Sequence, residues 1–233
     1  MLLSAIGSDM SITQIIIELI MRLPAVILAI SFHEAAHGYI AYKCGDPTAK
    51  MMGRITMNPG AHFDLLGTVS MLFVGFGWAK PVGINPNNFK NARRDTALVA
   101  LAGPVSNLIM AVFAMLIYFV VGIVADMFVL SDSAFKIIKI AMEMIQLIAL
   151  MNVSLMMFNL LPIPPLDGSK VLFSFLPSKA YNFILTYERY GFLILFIVLM
   201  TGIIDVPLMR AMNWILSLLY KGCYALFSLI GLL

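Results

Sequence analysis

Charged residues are scarce in this chain. Of its 233 residues, only 12% are Asp, Glu, Lys or Arg and 61% are hydrophobic, whereas soluble domains carry roughly 25% charged residues. Mean hydropathy is +0.97. A soluble fold of this size has too little interior for so much apolar surface, so the composition predicts a polytopic protein embedded in the lipid bilayer. The net charge of +3 gives no reason to expect a nucleic-acid partner.

Cysteine and histidine are also rare. The two cysteines, Cys44 and Cys223, are far apart and lie beside apolar segments, which argues against a disulfide framework and against a cysteine metal site. The first residues lack the basic flank of a signal peptide, so we expect this segment to be retained. The chain has three histidines, and two of them are only four residues apart.

These two histidines form the motif His33-Glu34-Ala35-Ala36-His37, or HExxH, at the end of an apolar stretch. On a helix, residues i and i+4 lie on the same face, so both imidazoles can bind one zinc ion. Glu34 can then take a proton from a water molecule that the zinc activates. Catalytic zinc sites have three protein ligands, so the sequence must supply one more.

Asp167 is the best candidate for the third ligand. It follows Asn159 in a segment with three prolines, which ends an apolar helix. Unwound backbone at membrane depth usually marks a functional site. The alternative role for Asp167 is a helix N-cap. The third histidine, His62, either contacts the site or caps its own loop, and we favour the structural role.

Hydrophobic segments define the expected fold, because a spanning helix needs about 20 apolar residues. We predict spans at about 12–42, 97–125, 135–161, 181–203 and 206–230, and Pro24 is a point at which the first span can divide. Between them, the stretch 51–91 is rich in Gly, Pro and Asn. Its apolar piece, 65–74, is too short to span. The fold class is therefore an all-α polytopic membrane protein with about five to six transmembrane segments and a re-entrant or short β-like segment after the zinc helix.

We treat residues 1–233 as a single membrane-embedded domain, with a core at about 12–175 and accessory C-terminal spans at about 181–230. Seven of the fifteen Lys and Arg residues lie between residues 43 and 94, whereas the loop 126–139 is roughly neutral. By the positive-inside rule, the basic region is cytoplasmic. This orientation places the HExxH motif and Asp167 near the cytoplasmic side and the N-terminus outside.

The chain resembles the site-2 protease family of intramembrane zinc metalloproteases, in its compact bacterial and archaeal branch without a PDZ domain. HExxH followed by Gly38 matches the first family motif, and Asn159…Pro162…Pro165-Leu166-Asp167-Gly168 matches the second. The further matching segments are Gly53-Arg54-Ile55-Thr56-Met57-Asn58-Pro59, His62-Phe63-Asp64, Gly77-Trp78-Ala79-Lys80-Pro81-Val82 and Ala102-Gly103-Pro104-x-x-Asn107. The resemblance covers residues from about 30 to 175.

The resemblance implies one zinc ion per chain, held by His33, His37 and Asp167, with Glu34 as the general base. It implies that Asn159 binds the substrate strand or the developing oxyanion, although helix packing is an equal alternative. We expect Asn107 to be structural, near a break that lets helices approach. The implied substrate is a transmembrane segment of another protein in a prokaryotic cell membrane. It would be held in extended form by the segment 51–83 through β-augmentation.

Two other functions remain open at this point. A CAAX-processing type of membrane zinc protease also carries HExxH, but takes a glutamate on a later helix as third ligand, for which Glu143 would be the candidate. A non-proteolytic metal-binding transporter would need matching broken segments in two halves of the chain. The sequence shows no such repeat.

Overall fold

The computed structural model describes residues 11–62, 64, 67, 80–129, 131–177 and 190–231, and this part of the chain is helical, without strands. Its α-helices are α1 (Ile12–Lys43), α2 (Thr48–Met51), α3 (Ala92–Asp126), α4 (Asp132–Asn159), α5 (Asp167–Ser174), α6 (Gly191–Thr201) and α7 (Asp205–Leu229). Two short 3-10 helices, Pro59–Ala61 and Pro86–Asn88, lie between α2 and α3.

Helix α1 is continuous, although the sequence suggested a division at Pro24. Ser11 begins it with a capping box, in which the Ser11 side chain accepts from the Gln14 backbone and the Gln14 side chain accepts from the Ser11 backbone. Pro24 removes one backbone donor, yet the helix passes through it to Lys43. Ala25, next to the proline, is fully buried, so this turn is packed against neighbouring helices.

Helices α1 and α3 pack through two stripes of residues spaced by four, which lie on one face of each helix. The buried stripe on α1 is Ala25, Ala29, His33, His37 and Ala41. The facing stripe on α3 is Val99, Gly103, Asn107 and Ala111. Hydrogen bonds join Ala29 to Asn107 and His37 to Val99, so the two helices run antiparallel. The small residues allow close approach, as is common between helices in membranes.

Helices α3 and α4, which cover the spans predicted at about 97–125 and 135–161, are each long and apolar enough to cross a membrane. The two accessory spans predicted at about 181–203 and 206–230 are not confirmed, and residues 178–189, which include the start of the first, lie outside the described residues. Helices α6 and α7 meet at a bend of 87° and count at most as one broken span, giving two or three candidate spans in the described residues. Gly202 ends α6 in the left-handed conformation, with φ of 65°.

The loop after α1 is held by Asp46, which is fully buried. Its carboxylate accepts hydrogen bonds from the backbone N–H and hydroxyl of Thr48, the backbone N–H of Asn85 and the side chain of Asn88. Burial would raise the pKa of Asp46, but these hydrogen bonds outweigh it and hold the pKa below its usual value. Residues far apart in the chain, 46–48 and 85–88, are thereby joined.

The predicted re-entrant or β-like segment lies outside the described residues, apart from its margins. Of the apolar piece 65–74, only Gly67 is described, and its N–H donates to Asp64. At the near margin the Arg54 side chain donates to the carbonyl of Ala61. At the far margin the N–H of Lys80 donates to the carbonyl of His62, 2.9 Å away. The two ends of the segment therefore meet beside α1.

Candidate metal centre

His33 and His37 lie on the same face of α1, and Asp167 reaches them from the first turn of α5. The two Nε2 atoms are 3.0 Å apart, and Oδ2 of Asp167 is 3.2 Å from each of them. All three side chains are buried, with exposed fractions of 5%, 7% and 8% for the residues. In the part of the chain that the structure describes, these residues make the only group able to hold a metal ion.

The geometry and chemistry of this group fit zinc. In a tetrahedral site with ligands about 2.0–2.1 Å from the metal, neighbouring ligand atoms are about 3.3 Å apart, close to the 3.0–3.2 Å observed. Oδ2 of Asp167 is buried and accepts no hydrogen bond from the described residues. A buried carboxylate oxygen facing two imidazole nitrogens is well suited to hold a cation between them.

The tautomer of His33 is fixed by its contact with α3. Nδ1 of His33 lies 2.7 Å from Oδ1 of Asn107. The Asn107 amide nitrogen donates to the carbonyl of Ala29, at 3.0 Å, and to Oδ1 of Asn152, at 2.9 Å. Because a backbone carbonyl only accepts, the amide orientation follows, and Nδ1 of His33 must donate its proton to Asn107. Nε2 is then left with a lone pair for the metal.

His37 is held in the same tautomer by a different partner. Its Nδ1 is 2.7 Å from the backbone carbonyl of Val99, which again can only accept. The N–H of His37 therefore points to α3, and its Nε2 lone pair points to Asp167. Hydrogen bonding of the outer imidazole nitrogen to a carbonyl is the usual way in which proteins orient a metal-binding histidine.

Gly103 explains why α3 can approach the two histidines so closely. A Cβ added at Gly103 would overlap the His33 ring and would lie 2.5 Å from Nε2 of His37. Asn107, one turn further along α3, is then in reach of His33. The Gly-Pro-x-x-Asn segment thus combines a contact surface and a hydrogen-bond acceptor. Sequence reasoning treated Asn107 as structural, and the structure shows that it contacts a candidate ligand directly.

Asp167 does not cap α5 with its side chain. Helix α5 begins at Asp167 itself, Leu166 is its N-cap residue, and no side chain caps the helix. The Asp167 carboxylate points to the histidine pair instead. Gly168 allows this placement because a Cβ there would overlap the backbone of Leu160, at the end of α4. The first turn of α5 is consequently packed directly on α4.

Glu34 is half-buried on α1, between the two histidines in sequence. Its Oε2 accepts a hydrogen bond from the backbone N–H of Val82, 3.0 Å away. Val82 is buried, and a Cβ at Gly38 would be 3.4 Å from the Val82 side chain. The segment that returns to α1 at Lys80 therefore lies over Glu34 and orients one carboxylate oxygen.

The other predicted site residues lie outside the metal group. The amide nitrogen of Asn159 donates to the carbonyl of Leu155, one turn back in α4, at 3.0 Å. His62 is buried in the loop, where its Nε2 lies 2.9 Å from the carbonyl of Thr56. Glu143, the candidate ligand of the CAAX-type alternative, is exposed and lines a cleft between α1, α4 and α7.

Sequence reasoning missed three contributors to the site: Asn152, the Val99 carbonyl and the Val82 N–H. Two of these are backbone groups, which any residue type provides, so no sequence signal could have identified them. Asn152 did carry a signal, because a polar side chain in an apolar span is costly and tends to be functional.

Comparison with known proteins gives the same family as the motifs. The model of peptidase family M50 matches residues 21–202. The "Putative zinc metalloprotease YwhC" of Bacillus subtilis (strain 168) is 40% identical over 176 residues, which are 76% of this chain and 78% of that protein.

More distant relatives come from mycobacteria. The "Putative zinc metalloprotease Rip2" of Mycolicibacterium smegmatis is 25% identical over 199 residues, or 83% of this chain and 69% of that protein. The protein of the same name from Mycobacterium tuberculosis (strain H37Rv) is 23% identical over 205 residues, or 85% of this chain and 74% of that protein. No solved structure matches the chain.

Proposed function

Because the chain belongs to peptidase family M50 and is a zinc metalloprotease, we propose that it hydrolyses peptide bonds within transmembrane segments of other membrane proteins. The observation that carries this proposal is the position of the metal group. His33, His37 and Asp167 are buried against α3, a helix long and apolar enough to cross a membrane. A site in this position is suited to a substrate that lies in the bilayer.

His33, His37 and Asp167 hold one zinc ion per chain in this proposal. When bound, zinc would supply Lewis-acid chemistry: it would make a water molecule easier to deprotonate, and so able to attack a peptide bond at neutral pH, and it would stabilise negative charge on the carbonyl oxygen. Glu34 is the general base. Its Oε2 is oriented by the N–H of Val82, so it can take the proton from the attacking water and pass it to the leaving amine.

Asn159 is proposed to contact the substrate strand or the developing oxyanion. One N–H of its amide donates to the Leu155 carbonyl, and the amide has a second N–H for such a contact. The segment 51–83 is proposed to hold the unwound substrate by β-augmentation. This role is supported by two hydrogen bonds: that from Lys80 to His62 closes a loop within the segment, and that from Val82 to Glu34 brings the end of the segment to the site.

The active site is proposed to face the cytoplasm of a prokaryotic cell. The basic residues at the end of α1 and in the loop after it support this orientation, since positively charged loops remain inside. Two of them pack over tyrosine rings near the end of α1: Lys43 over Tyr39 and Lys50 over Tyr42. Tyrosine and lysine together are typical of the boundary between membrane and water.

A cleavage assay tests the proposal. The full chain in detergent would be incubated with a panel of single-span membrane proteins and with an unfolded soluble protein such as casein, with Glu34→Gln as the inactive control. We expect cleavage of some single-span proteins near the cytoplasmic end of the span, and none by the control variant. Equal rates on casein and on membrane segments would refute an intramembrane protease.

A further inference from the structure

Asn152 is a polar side chain at a fully buried position of an apolar helix. It lies in α4, and both it and Asn107 have an exposed fraction of 0%. A buried amide is costly unless it is hydrogen-bonded. Here both ends of the Asn152 amide are used: its nitrogen donates to the carbonyl of Ile148, at 2.8 Å, and its oxygen accepts from Asn107, at 2.9 Å.

The hydrogen bonds run in one direction along this pair. The Ile148 carbonyl can only accept, so it fixes the nitrogen of Asn152 and turns the oxygen toward α3. That oxygen accepts from the nitrogen of Asn107 and turns the Asn107 oxygen toward His33. The orientation of the Asn152 amide thereby determines that of the Asn107 amide, which in turn determines the tautomer of His33.

The opposite orientation of Asn107 would be harmful to a metal centre. Rotation of its amide would place the NH₂ group against Nδ1 of His33, and the imidazole proton would move to Nε2. A protonated Nε2 has no lone pair and cannot bind a metal. The bonds to Ala29 and Asn152 both oppose this rotation, and Asn152 supplies one of the two.

We propose that Asn152 is a positioning residue of the metal centre: acting through Asn107, it holds His33 in the tautomer whose Nε2 binds zinc. The proposal rests on the zinc site described under Proposed function. If Asn152 only packed α4 against α3, replacing it would change zinc affinity by the same factor whether or not Asn107 is present.

The test is a double-mutant cycle on zinc affinity, measured on the full chain in detergent by competition with a chelator. The first variant is Asn152→Leu, which keeps a side chain branched at Cγ but removes both the donor to Ile148 and the acceptor for Asn107. Loss of one neutral hydrogen bond should weaken zinc binding by roughly 3- to 10-fold. Asn107→Ala removes the direct partner of His33 and should weaken it by about 10- to 100-fold. The double variant should bind zinc as Asn107→Ala does.

Two further measurements separate positioning from loss of fold. Ser154→Ala is the matched control, because the Ser154 hydroxyl donates to the Leu150 carbonyl within α4, at 2.7 Å; its zinc affinity should equal that of the wild type. The visible absorption of the Co²⁺-substituted protein should change in Asn152→Leu and stay unchanged in Ser154→Ala. This readout reports the ligand geometry and needs no substrate.

Three results would overturn the proposal: wild-type zinc affinity in Asn152→Leu, an equal loss in Ser154→Ala, or a further loss of the same size when Asn152→Leu is added to Asn107→Ala. His37→Ala distinguishes this failure from failure of the zinc site itself. If His37→Ala loses zinc while Asn152→Leu retains it, the positioning role alone is wrong. If His37→Ala binds zinc as the wild type does, the zinc site is wrong as well.

Discussion

Adding a single methyl group at Gly103 should disrupt the metal centre. A Cβ there lies 2.5 Å from Nε2 of His37 and 2.7 Å from Nδ1 of His33, whereas favourable contacts begin at about 3.5 Å. The rings or α3 must therefore move by roughly 0.8–1 Å, several times the tolerance of about 0.2 Å in zinc–ligand distances. Overpacking of this kind costs about 1–3 kcal/mol. We expect Gly103→Ala to weaken zinc binding by about 5- to 150-fold.

Gly122 provides the matched control on the same helix. A Cβ at Gly122 would meet only Cε of Met142, at an ordinary 3.6 Å. Gly122→Ala should leave zinc affinity unchanged and raise the unfolding temperature, since alanine favours a helix by about 1 kcal/mol over glycine. Both variants would be compared by chelator competition and by thermal unfolding of the metal-free protein. If Gly103→Ala bound zinc as tightly as Gly122→Ala, close approach of α3 to the histidines would not be required.

Four further predictions follow from the site and its surroundings. Metal analysis should show that Asp167→Ala has lost zinc, and an undiminished zinc content would place the third ligand elsewhere. Glu34→Gln should retain zinc but lose about 10²–10⁴-fold in cleavage rate; substantial turnover would exclude it as the base. The lowered pKa of Asp46 adds stability above its ordinary value of about 3.9, and this is lost as the pH falls through the folded-state pKa. The unfolding temperature of Asp46→Asn should therefore change less with pH in the acid range than that of the wild type. The same pH dependence in both proteins would argue against this role. In a background without native cysteines, a cysteine at Asn91 should be labelled from the cytoplasm and one at Ser131 from outside, with the reverse pattern inverting the proposed orientation.

Several features could be predicted because they depend on local spacing or on length. Two histidines four residues apart on a helix must share a face, so His33 and His37 meet wherever that helix lies. Helices α3 and α4 were predicted because each contains a mostly apolar run as long as the roughly 20 residues that a span requires. Asp167 was found by elimination among few acids and by its proline-broken context.

Features that depend on direction or on backbone contacts could not be predicted. Hydropathy measures the length of an apolar run and does not set the angle between two runs. The bend of 87° between α6 and α7 was therefore missed. The continuity of α1 through Pro24 was left open for a related reason. A lost backbone hydrogen bond does not break a helix whose adjoining turns are held by packing. That packing depends on the tertiary fold and is not visible in the sequence around a proline.

Helix α4 shows why residue type alone is a poor guide to function in a membrane helix. By transfer cost its most unusual residue is Glu143, yet Glu143 is exposed and outside the metal group. The buried residues of α4 are Ala149, Asn152, Val153 and Met156. Their spacing of three and four residues defines one face of the helix. This face extends toward the N-terminus to Ile145 and does not include Glu143. Position on this face, rather than polarity alone, brings Asn152 to Asn107 and so to His33. A useful search would therefore look for polar residues that fall within the periodic stripe of small or buried positions of an apolar helix. Such a search would have selected Asn152 over Glu143.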